Sequence, residues 1–481
     1  MRKALAVVVV VVWSACIPTL VENPPRDASQ YVPGSFQRGA LDAGVPEADA
    51  GVPENAGLRP WKQFFADQEL QHLIELALKN NQELNVRMQE IIIAHNEAAA
   101  RRGEYLPRVN AGLGVGVEKV GGFTSQGFSD KATGVPENLG NFGFGLTATW
   151  EVDVWGKLRN AASSATARAE ASAAAKDFMV TQLVAEIART WYELCALDLQ
   201  LEVLKRNIKL QSDALEVVKS EKLAARVTEL AVLRFSAELL KNSSRIYDLE
   251  QERVQAENRL NFLVGRFPQP VTRDPQSLLA PVPEVIESGL PSQLLKNRPD
   301  VRQAELELEA SKLSVKSAWA SFFPALSLDA GLGYNSFNIV HLVTTPESLL
   351  YNLAGNLTAP LLNRAAIEAQ YRSANARQLQ AVFSYERTLL QAFTEVANLL
   401  VTYENVKKRY ELESRQVDTL KQSVDVSNVL FQSARADYME VLLTRRDSLD
   451  AELELIETKK RLLHAMVNLY QSLGGGWEHG S

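Results

Sequence analysis

The sequence predicts a mainly α-helical chain with four long membrane-type β-strands, written as an internal two-fold repeat. Three observations carry this. Lys157–Val264 and Leu361–Leu473 contain none of the 26 glycines and 19 prolines. Four shorter segments alternate between apolar and polar or glycine residues, strictly so over 141–154. The order helix, two strands, breaker-free run occurs twice.

The helices follow from the exclusion of breakers. Glycine and proline disfavour a helix interior by roughly 1 and 3 kcal/mol against alanine, so their absence over 108 and 113 residues reads as helix. A straight rod of the first run would measure about 160 Å, so each run folds back on itself. The first divides into a long helix from Lys157 to about Lys222 and a return from about Glu229 to Val264. That return is too short to pair along the whole long helix. Pre-strand helices over Gln68–Glu104 and Arg298–Ser321 make up the length if stacked end to end with the returns. Val184, Ile187, Trp191, Leu194 and Leu201, and Leu230, Leu233, Ala237 and Leu240 in the return, follow the three-and-four spacing of packed helices.

The strands show a period of two. Val109, Ala111, Leu113, Val115 and Val117 alternate with Asn110, Gly112, Gly114, Gly116 and Glu118. Phe142, Phe144, Leu146, Ala148, Trp150, Val152 and Val154 do so over about fourteen residues. Leu326, Leu328, Ala330, Leu332 and Tyr334, then Tyr351, Leu353, Leu357 and Ala359, repeat the pattern. A half-buried sheet of a water-soluble domain gives the same alternation. The length of the segments, and a glycine-rich polar face opposite an apolar aromatic one, favour outer-membrane barrel strands. Four strands leave two open edges, which hydrocarbon does not tolerate; three copies would pool twelve strands.

The duplication shows in residues as well as order. Pro107 recurs as Pro324, 217 positions on. Ala225-Arg226, Val232-Leu233, Leu240, Leu260 and Gly265 recur as Ala434-Arg435, Val441-Leu442, Leu449, Leu469 and Gly474, all 209 positions on. The difference falls among the strands and their loops, where length varies most freely.

Arg2 and Lys3, the apolar run Ala4–Val12 and Trp13-Ser14-Ala15 have the layout of a secretory signal, too short to remain as a membrane span. Cys16 follows the small residues, as in a bacterial lipobox, with Trp13 where leucine is usual. Cleavage before Cys16 removes two basic residues and no acidic one, so the formal charge moves from −7 to −9, a poor match to nucleic acid. Cys195 sits among Trp191, Leu194 and Leu197 as a small buried apolar residue; with Cys16 acylated, no intrachain disulfide remains. Residues 17–60 read as a linker with the tandem repeat Ala43–Asp49 and Ala50–Ala56, whose Gly-Val-Pro-Glu returns at 134–137 in an expected turn. The five histidines are scattered, and HExxH, GxxxxGK[ST] and GxSxG are all missing from the chain, so the sequence gives no catalytic motif and no cofactor site.

Several segments together resemble the TolC-like outer-membrane efflux proteins, in their lipoprotein branch. They are Trp61 with Leu70, Leu73, Ala77, Leu78 and Asn81; Tyr105-Leu-Pro107; and Trp150-Glu-Val-Asp-Val-Trp-Gly-Lys157. Leu290-Pro291 with Leu294-Leu295, Arg298-Pro-Asp-Val-Arg302, Phe322-Phe-Pro-Ala-Leu-Ser-Leu328, Asp437-Tyr-Met-Glu-Val441 and Leu473-Gly-Gly-Gly-Trp477 continue the likeness. The resemblance implies a homotrimer whose twelve-stranded outer-membrane β-barrel continues into a long periplasmic α-helical barrel. It implies a passive exit duct for small molecules, working with a periplasmic adaptor and an inner-membrane transporter. A protein-secretion channel, or a non-conducting periplasmic coiled-coil scaffold, are the other readings.

Mapped on this chain, residues 1–15 are the signal peptide and 16–60 the lipid-anchored linker. Residues 61–265 form the first repeat, with its β-hairpin at about 106–154. Residues 266–297 are an equatorial connection, and 298–476 the second repeat, with its hairpin at about 324–361. The expected covalent lipid on Cys16 is the one added group. The fold-backs would face the adaptor at Ala225, Arg226, Val227 and Thr228, and at Ala434, Arg435 and Ala436. Glycine is usual where this chain has Ala225 and Ala434, and alanine enters the left-handed turn region at a cost. Asp437 and Glu440, three apart past the second tip, are the expected periplasmic aperture, with Arg435, Arg445 and Arg446 as candidate counter-charges; two acids favoured at a solvated helix start are the plain alternative.

Overall fold

The computed structural model describes residues 17–21, 55–282, 291, 297–360, 364–433 and 435–477. The signal peptide, Cys16, most of the linker and Ala434 lie outside the described residues. In chain order the elements are α1 (Gln68–Asn80), α2 (Gln82–Glu104), β1 (Arg108–Glu118), α3 (Ser125–Thr133), β2 (Leu139–Val152), α4 (Lys157–Leu223), α5 (Glu229–Leu263), α6 (Pro299–Ala320), β3 (Ala325–Ser336), β4 (Leu349–Thr358), α7 (Ala365–Gln432) and α8 (Tyr438–Ser472).

The breaker-free runs are helical hairpins, as their composition predicts. Helices α4 and α7 have 67 and 68 residues, and their returns α5 and α8 have 35 each. The expected single helix over Gln68–Glu104 is instead two, broken at Asn81. Asn81 is extended (φ −61°, ψ 124°), its Oδ1 accepts from the Leu84 N–H (2.9 Å), and its Nδ2 donates to the Leu263 carbonyl (2.9 Å). One buried side chain thus caps α2 and ties the break to the end of α5. Helix α3, inside the β1–β2 loop, was not legible as a period; Thr124 caps its start and Gly134, left-handed at φ 76°, ends it, so the recurring Gly-Val-Pro-Glu does begin at a turn.

The chain divides into two compact units. The first comprises residues 1–24, 91–172 and 304–385 and holds the sheet. All strands are antiparallel in the order β1-β2-β3-β4. Strand β2 stops at Val152, two residues before the alternation ends, because Asp153 turns inward. Its carboxylate accepts from the N–H groups of Leu158 (3.0 Å) and Arg159 (2.8 Å), capping α4, while Lys157 pairs with Glu151 (2.8 Å) and Gly156 takes φ 74°. The Trp150–Lys157 motif is therefore a strand-to-helix corner. Ile17 and Leu20 pack against Phe322, Phe323, Tyr371 and Ala374, so the residues after Cys16 are seated on this unit.

The second unit comprises residues 25–90, 173–303 and 386–481. Here α5 packs on α4 through Leu215, Val218, Ala231 and Phe235, and α4 on α8 through Leu204, Leu449 and Leu453. Helix α7 also packs on α8, where Lys421 pairs with Glu452 (3.3 Å) and the Lys459 ammonium lies 5.1 Å from the Tyr410 ring. Helix α5 also meets α8 directly, Arg234 donating to the Met439 sulfur (3.2 Å) and Arg245 to Asp450 (3.3 Å), so α4 and α8 form the centre of this packing. Arg298 ties the Arg-Pro-Asp motif to Asp300 (2.8 Å), Glu395 (3.0 Å) and the Ser472 carbonyl (2.8 Å). Arg273 binds Asp198 and Glu257. The Cys195 thiol is free, and burial pushes its pKa up to about 12, so it is an inert packing group.

Candidate functional site

Two places carry the candidate function, the sheet of the first unit and the hairpin tips of the second. In an antiparallel ladder directly paired residues share a face, so the register assigns each side chain. Leu113, Phe144, Tyr334 and Leu349 form one rung, and Ala111, Leu146, Leu332 and Tyr351 the next. Much of this apolar face is exposed, Leu113 at 80%, Tyr351 at 79% and Leu353, one rung on, at 80%, while Tyr334 and Leu349 are half-buried. The opposite face carries Asn110, Thr147, Gly331 and Asn352, then Gly112, Gly145 and Gly333. Its polar groups bond across strands, Asn335 to Asn141 (2.8 Å) and Asn356 to Asp329 (2.8 Å). A Cβ on Gly145 would stand 2.8 Å from the Gly333 Cα, so the strands crowd together where glycine alone fits.

Half-exposed indoles gather at one end of the sheet. Trp150 donates to the Tyr105 carbonyl (2.9 Å), Trp155 donates to the Pro324 carbonyl (2.9 Å) and stacks on Phe323 at 4.7 Å. An apolar body with a satisfied N–H suits a boundary between hydrocarbon and water. Among the described residues no helix is long and apolar enough to cross a membrane.

At the first tip Ala225 holds φ +57°, the one non-glycine residue with positive φ among those described. The Arg226 N–H donates to the Glu221 carbonyl (3.0 Å) and the Ala225 N–H to the Lys222 carbonyl (2.9 Å), the bonding of a Schellman turn. Val227 packs on the cluster below, and Thr228 is the N-cap residue of α5 without a side-chain capping bond. The second tip has the same long bond, from the Arg435 N–H to the Leu430 carbonyl (2.9 Å). Arg435 is exposed and Ala436 half-buried.

Asp437 is the N-cap residue of α8 without a side-chain capping bond, and Glu440 lies in its first turn; both are exposed. Two of the candidate counter-charges have other partners among the described residues. Arg445, two turns along, donates to Asn428 (2.8 Å) and the Leu210 carbonyl (3.4 Å), and burial lowers its pKa from the ordinary guanidinium value. Arg446 pairs with Asp447 (2.9 Å). Arginine reach is longer than the spacing of these positions, so sequence could not choose among the partners. Within one chain the acids stand in solvent near the positive end of α8, which the helix dipole favours.

Comparison with known proteins fits this geometry. The profile of the family described as outer membrane efflux protein matches residues 73–266 and 290–475. The pyoverdine export outer membrane protein OpmQ of Pseudomonas aeruginosa is 29% identical over 432 residues, 89% of this chain and 90% of its own. The probable outer membrane lipoprotein SilC of Salmonella typhimurium is 25% identical over 485 residues, 99% of each chain. Among solved structures, the outer-membrane channel OprN superposes with a TM-score of 0.80 at 25% identity, covering 96% of this chain and 98% of that one.

Proposed function

This chain belongs to the outer membrane efflux protein family and is an efflux channel component of the outer membrane, and on that premise we propose how it assembles and conducts. Three copies close their four-stranded sheets into one twelve-stranded barrel, with the bare apolar face in lipid and the glycine and amide face lining the pore. The carrying observation is this sheet: amphipathic, open at β1 and β4, and continuous through the Trp150–Lys157 corner with a 67-residue helix. Residues 61–265 and 298–476 act as two repeats joined by 266–297, which the near-equal helix lengths support. The helices form a duct towards a periplasmic adaptor and an inner-membrane pump, which supplies the energy for small-molecule export. The tips around Ala225 and Ala434 meet the adaptor. Planar bilayers are the direct test: the purified protein conducts, whereas binding without conductance returns the scaffold reading.

Asp437 and Glu440 form the periplasmic aperture as rings of three carboxylates each. Rings of like charge select cations and bind divalent ions. Asp437→Asn with Glu440→Gln therefore weakens cation selectivity and divalent block in single-channel recordings; no change in either leaves these acids as ordinary helix-start residues. Cys16 carries the lipid, and the docking of Ile17 and Leu20 beside the sheet supports an anchor there. Intact-mass analysis of the mature protein would show acyl chains on an N-terminal cysteine, and an unmodified terminus elsewhere would refute the anchor.

A further inference from the structure

Helices α4, α7 and α8 of the second unit line a cavity of about 430 Å³, within the size range of small-ligand sites. Among the described residues, three buried polar atoms of its lining residues have no hydrogen-bond partner: Asn207 Oδ1 and Gln211 Nε2 on α4, and Arg445 Nε on α8. Gln211 is 3% exposed, and its Oε1 already accepts from the Asn242 Nδ2 (3.0 Å), which leaves Nε2 as its uncommitted end. Buried Ser448 adds a hydroxyl to the same wall.

The charges around the cavity do not balance. Arg206 and Lys421 both reach Glu452, at 3.4 and 3.3 Å, so one carboxylate serves two cations. Arg445 spends its other nitrogens on neutral acceptors, the Asn428 Oδ1 (2.8 Å) and the Leu210 carbonyl (3.4 Å). Its pKa is lowered by burial, with no carboxylate pulling the other way. Exposed Asp425 is the second acid of the lining, which leaves three cations against two acids.

We propose that this cavity binds a compact oxyanion of the phosphate type, with Arg445 as its main donor, Gln211 as a second donor and Asn207 accepting from the anion's hydroxyl. Other occupants suit the wall less well. A cation meets the Arg445 charge, and an apolar molecule leaves buried donors unpaired. Water satisfies amides, but it leaves the guanidinium without a counter-charge in a poorly solvated place. A hydrogen phosphate brings several acceptor oxygens and one O–H, which matches two donors and one acceptor. One water occupies about 30 Å³, so the space also admits a phosphate group carried on a small organic body. The bound anion would touch α4 and α8 at once and lies within a single chain, so the site is independent of how many copies assemble.

Equilibrium dialysis of radiolabelled inorganic phosphate against the full-length protein in detergent tests the site. One phosphate per chain is expected to bind saturably, and Arg445→Gln to weaken it by about tenfold or more, the loss of a charge-assisted hydrogen bond. Gln211→Glu keeps the acceptor for Asn242 but sets a carboxylate beside Arg445, so it should abolish binding in a protein that still assembles by light scattering. This second variant decides the matter if Arg445→Gln fails to fold. Sulfate has the same shape without a hydroxyl at neutral pH; it should displace the label less well than unlabelled phosphate does, and Asn207→Leu should remove that preference. Displacement by glycerol phosphate as readily as by phosphate assigns the site to organic phosphates, and displacement by inorganic phosphate alone assigns it to the free anion. The absence of saturable binding, or binding that Gln211→Glu leaves unchanged, overturns the proposal and leaves the cavity to water.

Discussion

In the sheet, Leu113 and Leu353 are both 80% exposed, while in the helical unit Trp191, Leu194 and Leu204 are at 0%. Both regions sort apolar from polar side chains by period, one at two and the other at three and four. Their apolar groups nevertheless face opposite ways, out of the sheet and into the helix packing. An aqueous protein buries its largest apolar residues, and an apolar face this exposed fits the lipid side proposed for it above. The difference teaches that patterning fixes which residues share a face, whereas the solvent outside decides which face turns outward. Unit two repeats the lesson on a smaller scale, since α4 hides its stripes while α5 and α7 show theirs.

The largest expected effect comes from charging one face of the sheet. Phe144, stacked on Tyr334 at 5.5 Å, lies on the apolar face, and Thr147 on the glycine and amide face. Phe144→Arg should destabilise the membrane-inserted form by about 2–4 kcal/mol if it lies near the bilayer midplane, with Thr147→Arg much milder. Denaturant titration of the assembled protein in lipid vesicles measures both. Equal losses would mean that the two faces meet the same solvent, and the contrast drawn above would fail.

A smaller effect probes whether the helical unit stays dry. His464 on α8 binds the Arg189 carbonyl through Nε2 (3.0 Å), and burial pushes its pKa from the ordinary 6.5 down to about 4; the carbonyl bond opposes this, ahead of the weaker effects of Lys460 and Arg189, which lower it, and of Glu457, which raises it. The folded state then holds fewer protons on this ring than the unfolded chain between those values. Stability contributed by the neutral ring is complete above pH 6.5 and falls as pH drops towards 4, by about 2 kcal/mol after allowance for partial exposure. His464→Gln should flatten that part of the thermal-stability profile; an unchanged slope would assign it to other groups.

Much of this architecture was legible because composition alone excludes alternatives. A run of 108 residues without glycine or proline has few options besides helix, and α4 and α5 fill it apart from the turn and one terminal residue. The break at Asn81 was hidden because asparagine is tolerated in helices, and it becomes a cap only when Leu263 offers a carbonyl 182 positions away. For a related reason the sequence leaves Arg445 as one candidate counter-charge among several: its partners on α4 and α7 are set by packing and leave no trace in spacing. The sequence reads Leu230, Leu233, Ala237 and Leu240 as the packed stripe of α5, yet all four are exposed, and the buried positions are Ala231, Phe235, Ala256 and Leu260, because spacing gives the period of a helix and not which of its faces meets α4. Asp437 and Glu440 are candidates by position alone, and the ring proposed for them would exist only in an assembly.

The smallest expected effect concerns the tip, where neither lipid nor core decides the conformation and the backbone itself carries the strain. Ala225 at φ +57° sits where its Cβ crowds the following carbonyl, at roughly 1–2 kcal/mol for a non-glycine residue, while glycine loses about 0.5–1 kcal/mol of chain entropy on folding. The balance favours glycine by about 1 kcal/mol. Because Arg226 is bare, with 73% of its side chain exposed, local opening of the turn can be read as tryptic cleavage there. Ala225→Gly should slow that cleavage by about fivefold where opening is faster than cutting, and Ala225→Val should speed it, since a branched side chain tolerates the left-handed region still less well. A glycine variant cut as fast as the parent would show that the turn is held by its two Schellman bonds and the packing of Val227, with no strain stored at the alanine.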